Sequence, residues 1–410
     1  MRLSSSSPPS VAHLRRLAIH VTTRQYRTAA PWTYQARKCI VLNHGCRHGR
    51  GIAQRQIHVG NMLMPPAIFT GLFLALWCYK CIMLVLFQNA IIYNPFLPPN
   101  ARSMQISEFA RQCGGIEWRE DRIKSLDGTE IALCISEVSC GRESAGAGSS
   151  KAPKTAVYIL YFQGNASSLP PRLPDLSGVL RQLKAEETEG QVHYTMVCLS
   201  YRGYWTSHDR PSEKGINLDS EAALRWITKL HRERHQDAQR APITILWGQS
   251  IGCGFATNVA SKAGDGDTLP INALVLETPF TNTRAMLEAL YPQKWLPYRH
   301  LWPFLRNHLD SWANLGLIAA KAHKPEVYIV EAGKDELVPS DHGRLLHQRC
   351  QEVQLFSQLH TVSGALHNDV MVRRQGKQAI AESIASTVSR AREASDDQVQ
   401  RLSGRAKDKT

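Results

Sequence analysis

The first 107 residues contain no aspartate or glutamate; Glu108 is the first acid in the chain. Residues 1–60 nevertheless hold ten Lys/Arg, so ten of the fourteen net positive charges sit in this arm and only four remain for the other 350 residues. The folded part is therefore only mildly basic. It has no basic stripe interleaved with aromatics, which argues against a nucleic-acid partner. The ten cysteines show no paired metal spacing, so no metal site is implied. Their one CxxC, Cys78 and Cys81, falls inside an apolar run, where packing or lipidation is the better reading than redox chemistry. No fixed-period repeat is present, and nothing points to a solenoid.

Charge is scarce in one further place. Pro66 to Phe87, PAIFTGLFLALWCYKCIMLVLF, carries a single charge, Lys80, in 22 residues. As a helix this run exceeds the roughly 20 residues needed to span ~30 Å of hydrocarbon. Lys80 lies about two turns from its C-terminal end and can snorkel. A buried core helix is the weaker reading, because neither flank offers a sheet pattern to pack on. Arg47, Arg50 and Arg55 precede the run and only Arg102 comes closely after it. The positive-inside rule then keeps the N-terminus cytosolic or in the matrix and sends the folded domain across. The expected organisation is a basic targeting segment or disordered arm (1–61), a transmembrane helix (66–87), a folded domain (105–392) and a disordered tail (393–410). The arm has the Arg- and Ser-rich, acid-free composition of a mitochondrial transit peptide. An unstructured juxtamembrane tail fits equally well, and a start at Met62 or Met64 is a third reading. The expected location is a membrane crossed once, that of the endoplasmic reticulum or the mitochondrial inner membrane.

Beyond the anchor the chain is patterned. IEWREDRIKSLDGTEIALCISEVS alternates on both sides of Asp127-Gly128, a hairpin signal. Residues 140–155 are small, polar and Gly/Pro-bearing, a surface loop. Apolar runs then recur at 156–162, 194–200, 243–248, 273–278 and 326–332, with a mixed run at 353–362. Helix-like stretches are expected at about 173–186, 218–234, 250–262 and 374–392. Buried runs alternating with helices imply βαβ units and a parallel sheet. Residues 279–323, rich in Trp, Pro and Leu, interrupt the alternation and suit a cap over a cleft.

One junction carries chemistry. Gly248-Gln249-Ser250-Ile251-Gly252 lies where an apolar strand ends and a helix begins. A serine there sits on a sharp turn that only glycine neighbours allow, with its hydroxyl lifted above the sheet. The bare G-x-S-x-G pattern is weak; its position after Ile-Thr-Ile-Leu-Trp strengthens it. A serine needs a base, and in such an arrangement acid and histidine come later in the chain. The loop EAGKDELVPS offers Asp335, and SGALHNDV offers His367; both lie after strand-like runs. Glu336 and Asp369 are the runner-up acids. Donors for an oxyanion are expected from the backbone N–H groups of Ile251 and, in the loop after 156–162, Asn165.

Together these residues resemble the alpha/beta-hydrolase superfamily, and most of all its membrane-anchored branch of lysophospholipid lipases, protein depalmitoylases and bud-emergence-related hydrolases. The resemblance covers about residues 85–385. It rests on QNAIIYNP (88–95), QGNA (163–166), the YRGY turn (201–204), the elbow, the acid loop 335–339 and the His-Asn-Asp loop 367–369. It implies a mostly parallel eight-stranded sheet flanked by helices, with an N-terminal transmembrane helix. It also implies a Ser250-His367-Asp335 triad, no metal or cofactor, and an ester or thioester of a lipid or acylated molecule as substrate. Gln163 stands where the family has His and is expected to reorient the oxyanion loop. Trp205 replaces a small residue and is expected to narrow the cleft. Tyr201 and Arg202 suit a structural turn under the site better than a chemical role. The rival expectation is a catalytically weak membrane scaffold that uses the fold for binding.

Overall fold

The computed structural model describes residues 59–140, 155–187, 192–235, 241–264 and 266–407. The arm through residue 58 and most of the loop expected at 140–155 lie outside them. The chain divides into two units, Met1–Met62 and Leu63–Thr410; of the first, only the opening turn of α1 (Val59–Leu86) is described.

Within α1, Leu63–Leu86 has a mean hydropathy of 2.0, and none of it is buried. Among the described residues it is the one helix long and apolar enough to cross a membrane. Two short helices come next, α2 (Gln88–Ile92) and α3 (Ile106–Phe109). The expected hairpin is β1 (Arg119–Lys124) with β2 (Glu130–Cys140), antiparallel. The alternating segment begins with β3 (Thr155–Phe162), α4 (Leu173–Glu186), β4 (Val192–Leu199), α5 (Glu213–Arg234), β5 (Ile243–Gln249) and α6 (Ile251–Lys262). It continues through β6 (Ala273–Glu277), α7 (Thr283–Leu290), α8 (Ser311–Ala319), β7 (Glu326–Ala332), α9 (Asp341–Glu352), β8 (Ser357–Val362) and α10 (Arg374–Lys407).

The eight strands form one sheet in the order β1-β2-β4-β3-β5-β6-β7-β8. β2 meets β4 antiparallel, and every pairing from β4 through β8 is parallel. All eight residues of β3 and all seven of β5 are buried, because helices cover both faces. Alternate side chains serve the two layers. Tyr158, Leu160 and Phe162 pack with α5, α6, α8 and α9. Val157, Ile159 and Tyr161 pack with α4 and α10 on the other side. β3 lies between β4 and β5, so the chain reverses its direction across the sheet there. That switch point opens a crevice at the strand C-termini.

Two extents differ from the sequence reading. α10 runs to Lys407, so the tail expected to be disordered from 393 is largely helical; 393–403 holds no proline or glycine, the two residues that break a helix most strongly. α9 was not expected. Its buried residues His342, Leu346 and Cys350 recur every four positions, the period of a helix packed on one side.

Candidate active site

β5 ends in the turn 248–252. Ser250 has φ 52° and ψ −117°, a strained conformation for a residue with a side chain. Its N–H donates to the Glu277 carbonyl at 2.8 Å, tying the turn to β6. The glycines are required by space. A Cβ on Gly248 would lie 2.6 Å from the Cys253 backbone, and one on Gly252 would lie 2.2 Å from the Phe162 carbonyl oxygen. Strand, turn and helix can approach this closely only without side chains at those two positions.

Ser250, His367 and Asp335 are brought together from the ends of β5, β8 and β7. His367 Nε2 is 2.8 Å from Ser250 Oγ, and His367 Nδ1 is 2.8 Å from Asp335 Oδ2. Both His367 and Asp335 side chains are only 4% exposed. The other carboxylate oxygen of Asp335 accepts the N–H groups of Leu337 and Val338 at 2.9 and 2.8 Å. Burial pushes the Asp335 carboxyl up; hydrogen bonds from the His367 ring and from the Val338 and Leu337 backbone outweigh it and hold it below its ordinary value. An ionised carboxylate only accepts, so Nδ1 carries the ring proton and Nε2 is left to accept from Ser250.

The runner-up acids have other partners. Glu336 Oε2 accepts the backbone N–H of His367 at 3.0 Å. Asp369 binds Arg373 at 2.8 Å and the Leu366 N–H at 2.6 Å. Asn165 and Ile251, the expected oxyanion donors, line the same cavity as Ser250 and His367. The Asn165 side-chain oxygen accepts from Ala166 N, Tyr204 Oη and Asn94 N at 2.7, 3.0 and 3.1 Å, which fixes the loop it belongs to.

The YRGY turn braces that loop from below. Tyr201 Oη donates to the Gln163 carbonyl at 2.8 Å. Arg202 is buried against Asp219 and Asp127 in a structural ion cluster. Gln163 is wholly buried, and its side-chain amide has no hydrogen-bond partner among the described residues. Trp205 does not narrow the cleft as expected. It is 2% exposed, packs on the α4 side of the sheet and donates its indole N–H to the Met104 carbonyl at 2.7 Å.

Two features escaped the sequence reading. The first is a polar network under the elbow. Arg172 and Tyr161 both donate to Gln249 Oε1. Gln249 Nε2 and Trp247 Nε1 each donate to Glu277 at 3.3 Å. Burial raises the Glu277 carboxyl to about 7, against the lowering effect of Trp247, Arg172 and Gln249. The lone acid closing the apolar run ALVLE was the available signal.

The second is the cavity itself. It occupies about 470 Å3 above Ser250, within the range of small-molecule sites. Its walls are Ile251, Phe280, Met286, Leu287 and Leu309 on the cap and elbow side, and Leu84, Val85 and Ile92 from α1 and α2. The expected cap is therefore only half of the roof; the end of the apolar helix is the other half.

No family model matches the chain. It is similar to protein Bem46 of Schizosaccharomyces pombe, 28% identical over 236 residues, 58% of this chain and 70% of that one. It is similar to lysophosphatidylserine lipase ABHD12 of Danio rerio, 31% identical over 194 residues, 46% of either chain, and to that of Mus musculus, 29% over 222 residues, 53% of this chain and 51% of that one. The chain thus spans about half the length of these lipases. Among solved structures it resembles esterase LipW of Mycobacterium marinum, with a TM-score of 0.49 at 16% identity over 75% of this chain and 90% of that one. It also resembles esterase Pf2001 of Pyrococcus furiosus, with a TM-score of 0.46 at 14% identity over 70% and 93%.

Proposed function

Because the chain is a member of the alpha/beta-hydrolase superfamily, we propose that it is a membrane-tethered serine hydrolase that cleaves an ester or thioester of a lipid or acylated molecule. The observation that carries this reading is the unbroken relay from Ser250 Oγ through His367 to Asp335, 2.8 Å at each link, at the floor of an apolar cavity. His367 Nε2 takes the Ser250 proton as Oγ attacks the acyl carbonyl, and Asp335 balances the imidazolium. The N–H groups of Ile251 and Asn165 face the charge that develops on the carbonyl oxygen. His367 then protonates the leaving group, and a water deprotonated by the same ring releases the acid from Ser250. The aliphatic walls suit a hydrocarbon chain, and the names of the similar lipases agree with a lipid ester. The tether is α1, and the membrane is that of the endoplasmic reticulum or the mitochondrial inner membrane.

The test is hydrolysis of long-chain p-nitrophenyl esters and acyl thioesters by purified full-length protein beside its Ser250→Ala variant. Turnover by the first and none by the second is expected. A folded wild-type protein inert to every ester and thioester would favour a binding scaffold instead.

A further inference from the structure

The roof segment between α7 and α8 is packed against the membrane helix itself. The Trp77 and Trp295 ring centroids are 5.9 Å apart. Lys80 Nζ lies 4.3 Å from the centroid of the Tyr298 ring and 5.7 Å from that of Tyr291, a cation held between two aromatic faces. Arg306 closes the helix end by donating to the Val85 and Leu86 carbonyls at 3.1 and 3.0 Å, and Gln88 Nε2 donates to the Phe304 carbonyl at 2.7 Å. At 1.5 Å per residue, Trp77 and Lys80 stand about 14 and 9 Å inside the end of the helix at Leu86. Whatever touches them shares their depth.

The same segment turns large apolar side chains outward. Trp295 is 68% exposed, Phe304 59% and Trp302 42%. Aromatic side chains of this kind belong at the boundary between head groups and hydrocarbon. The mouth of the cavity lies here too. Leu84 and Val85 of the helix line it, as does Leu290, which is 65% exposed.

We propose that residues 291–306 are seated in the bilayer leaflet beside the end of α1, so that the cavity opens into lipid and the acyl chain reaches Ser250 without crossing water. This rests on the membrane-tethered hydrolase reading and adds the route of entry. Lys80, the one charge in the span, acts as the clasp between helix and roof. The lipid leaflet is the partner of the exposed aromatic face, because that face is continuous with a helix surface whose only fitting solvent is hydrocarbon.

Full-length protein reconstituted in phosphatidylcholine vesicles tests it. Photoreactive benzoylphenylalanine is placed at Trp302, at Phe304 and, as control, at Lys229 near the far end of α5, whose side chain is 75% exposed. Phospholipid adducts are expected at the first two positions and not at the third. In parallel, the combined Trp295→Ser, Trp302→Ser and Phe304→Ser variant should lose about tenfold or more in kcat/KM toward a long-chain ester embedded in vesicles, and keep its activity toward a water-soluble butyrate ester. Carbonate-resistant protein with no lipid adduct at either roof position, or equal loss on both esters, would overturn the inference and leave the hydrolase reading standing. Wild-type protein released by carbonate, or inert to both esters, would sink the reading on which it rests, and the inference with it.

Discussion

Beneath the cavity, Ser250, Asp335 and His367 stand at the ends of β5, β7 and β8, each held by hydrogen bonds of 2.8 Å. Above it, the roof is assembled from α1, α2 and the segment before α8, whose contacts join residues more than 200 positions apart. The floor is polar and mounted on a buried sheet. The roof is apolar and hangs on a helix end. A reacting group must be fixed to a fraction of an ångström, and a sheet edge provides that rigidity. A hydrocarbon chain needs only shape and dryness, which a looser cover supplies. The two regions should therefore fail differently when altered.

The floor should show the largest effects. Ser250→Ala should remove turnover. Asp335→Asn should leave the fold intact and lower kcat by orders of magnitude, with ~10⁴ the precedent for the same change in a serine protease triad. Glu336→Gln should cost far less, since an amide oxygen can still accept the His367 N–H, and Asp369→Asn should cost least because its partner is Arg373. The comparison is made at equal thermal stability. Asp369→Asn proving the most damaging of the three would move the acid to the other loop.

The roof should grade rather than switch. If acyl chains fill the cavity, each methylene removed from a long-chain ester should lower kcat/KM by about fourfold, the equivalent of ~0.8 kcal/mol, until the chain no longer reaches Leu287. Leu287→Trp should flatten that series by filling the space, with short esters unaffected. A series that is already flat in the wild-type protein would show that the roof does not read the chain.

The contrast also explains what was legible in the sequence. The elbow, acid loop and histidine loop are short local motifs whose residues come after strand-like runs, so their order could be read directly. The sheet was legible because each buried strand is a continuous apolar run, as in β3 and β5. Gln249 and Glu277 belong to different strands and meet Arg172 only after folding, so their network left no local pattern beyond one acid in an apolar run. Gln88 and Tyr93 were visible as part of a motif, but their partners Phe304 and Asn307 were not, because that pairing is purely tertiary. Trp205 was misread for the same reason: a side chain after a turn can enter either layer.

The smallest expected effect lies under the floor. The Glu277 carboxyl is raised from 4.5 to about 7 in the folded chain, so the folded state binds a proton that the unfolded state releases earlier. Stability from this group is complete below about pH 4.5 and declines as pH rises toward 7, by at most about 3 kcal/mol. Glu277→Gln cannot ionise. Its melting temperature relative to wild type should therefore rise steadily between pH 5 and 7. A constant difference across that window would show that Glu277 ionises as freely in the folded chain as in the unfolded one.

The most direct test of the central claim is to map the adduct of a fluorophosphonate on full-length protein by mass spectrometry. A single modified peptide carrying the label on Ser250, absent in Ser250→Ala and strongly reduced in His367→Ala, is the result expected. A label on another serine, or a fully folded protein that takes none, would contradict it.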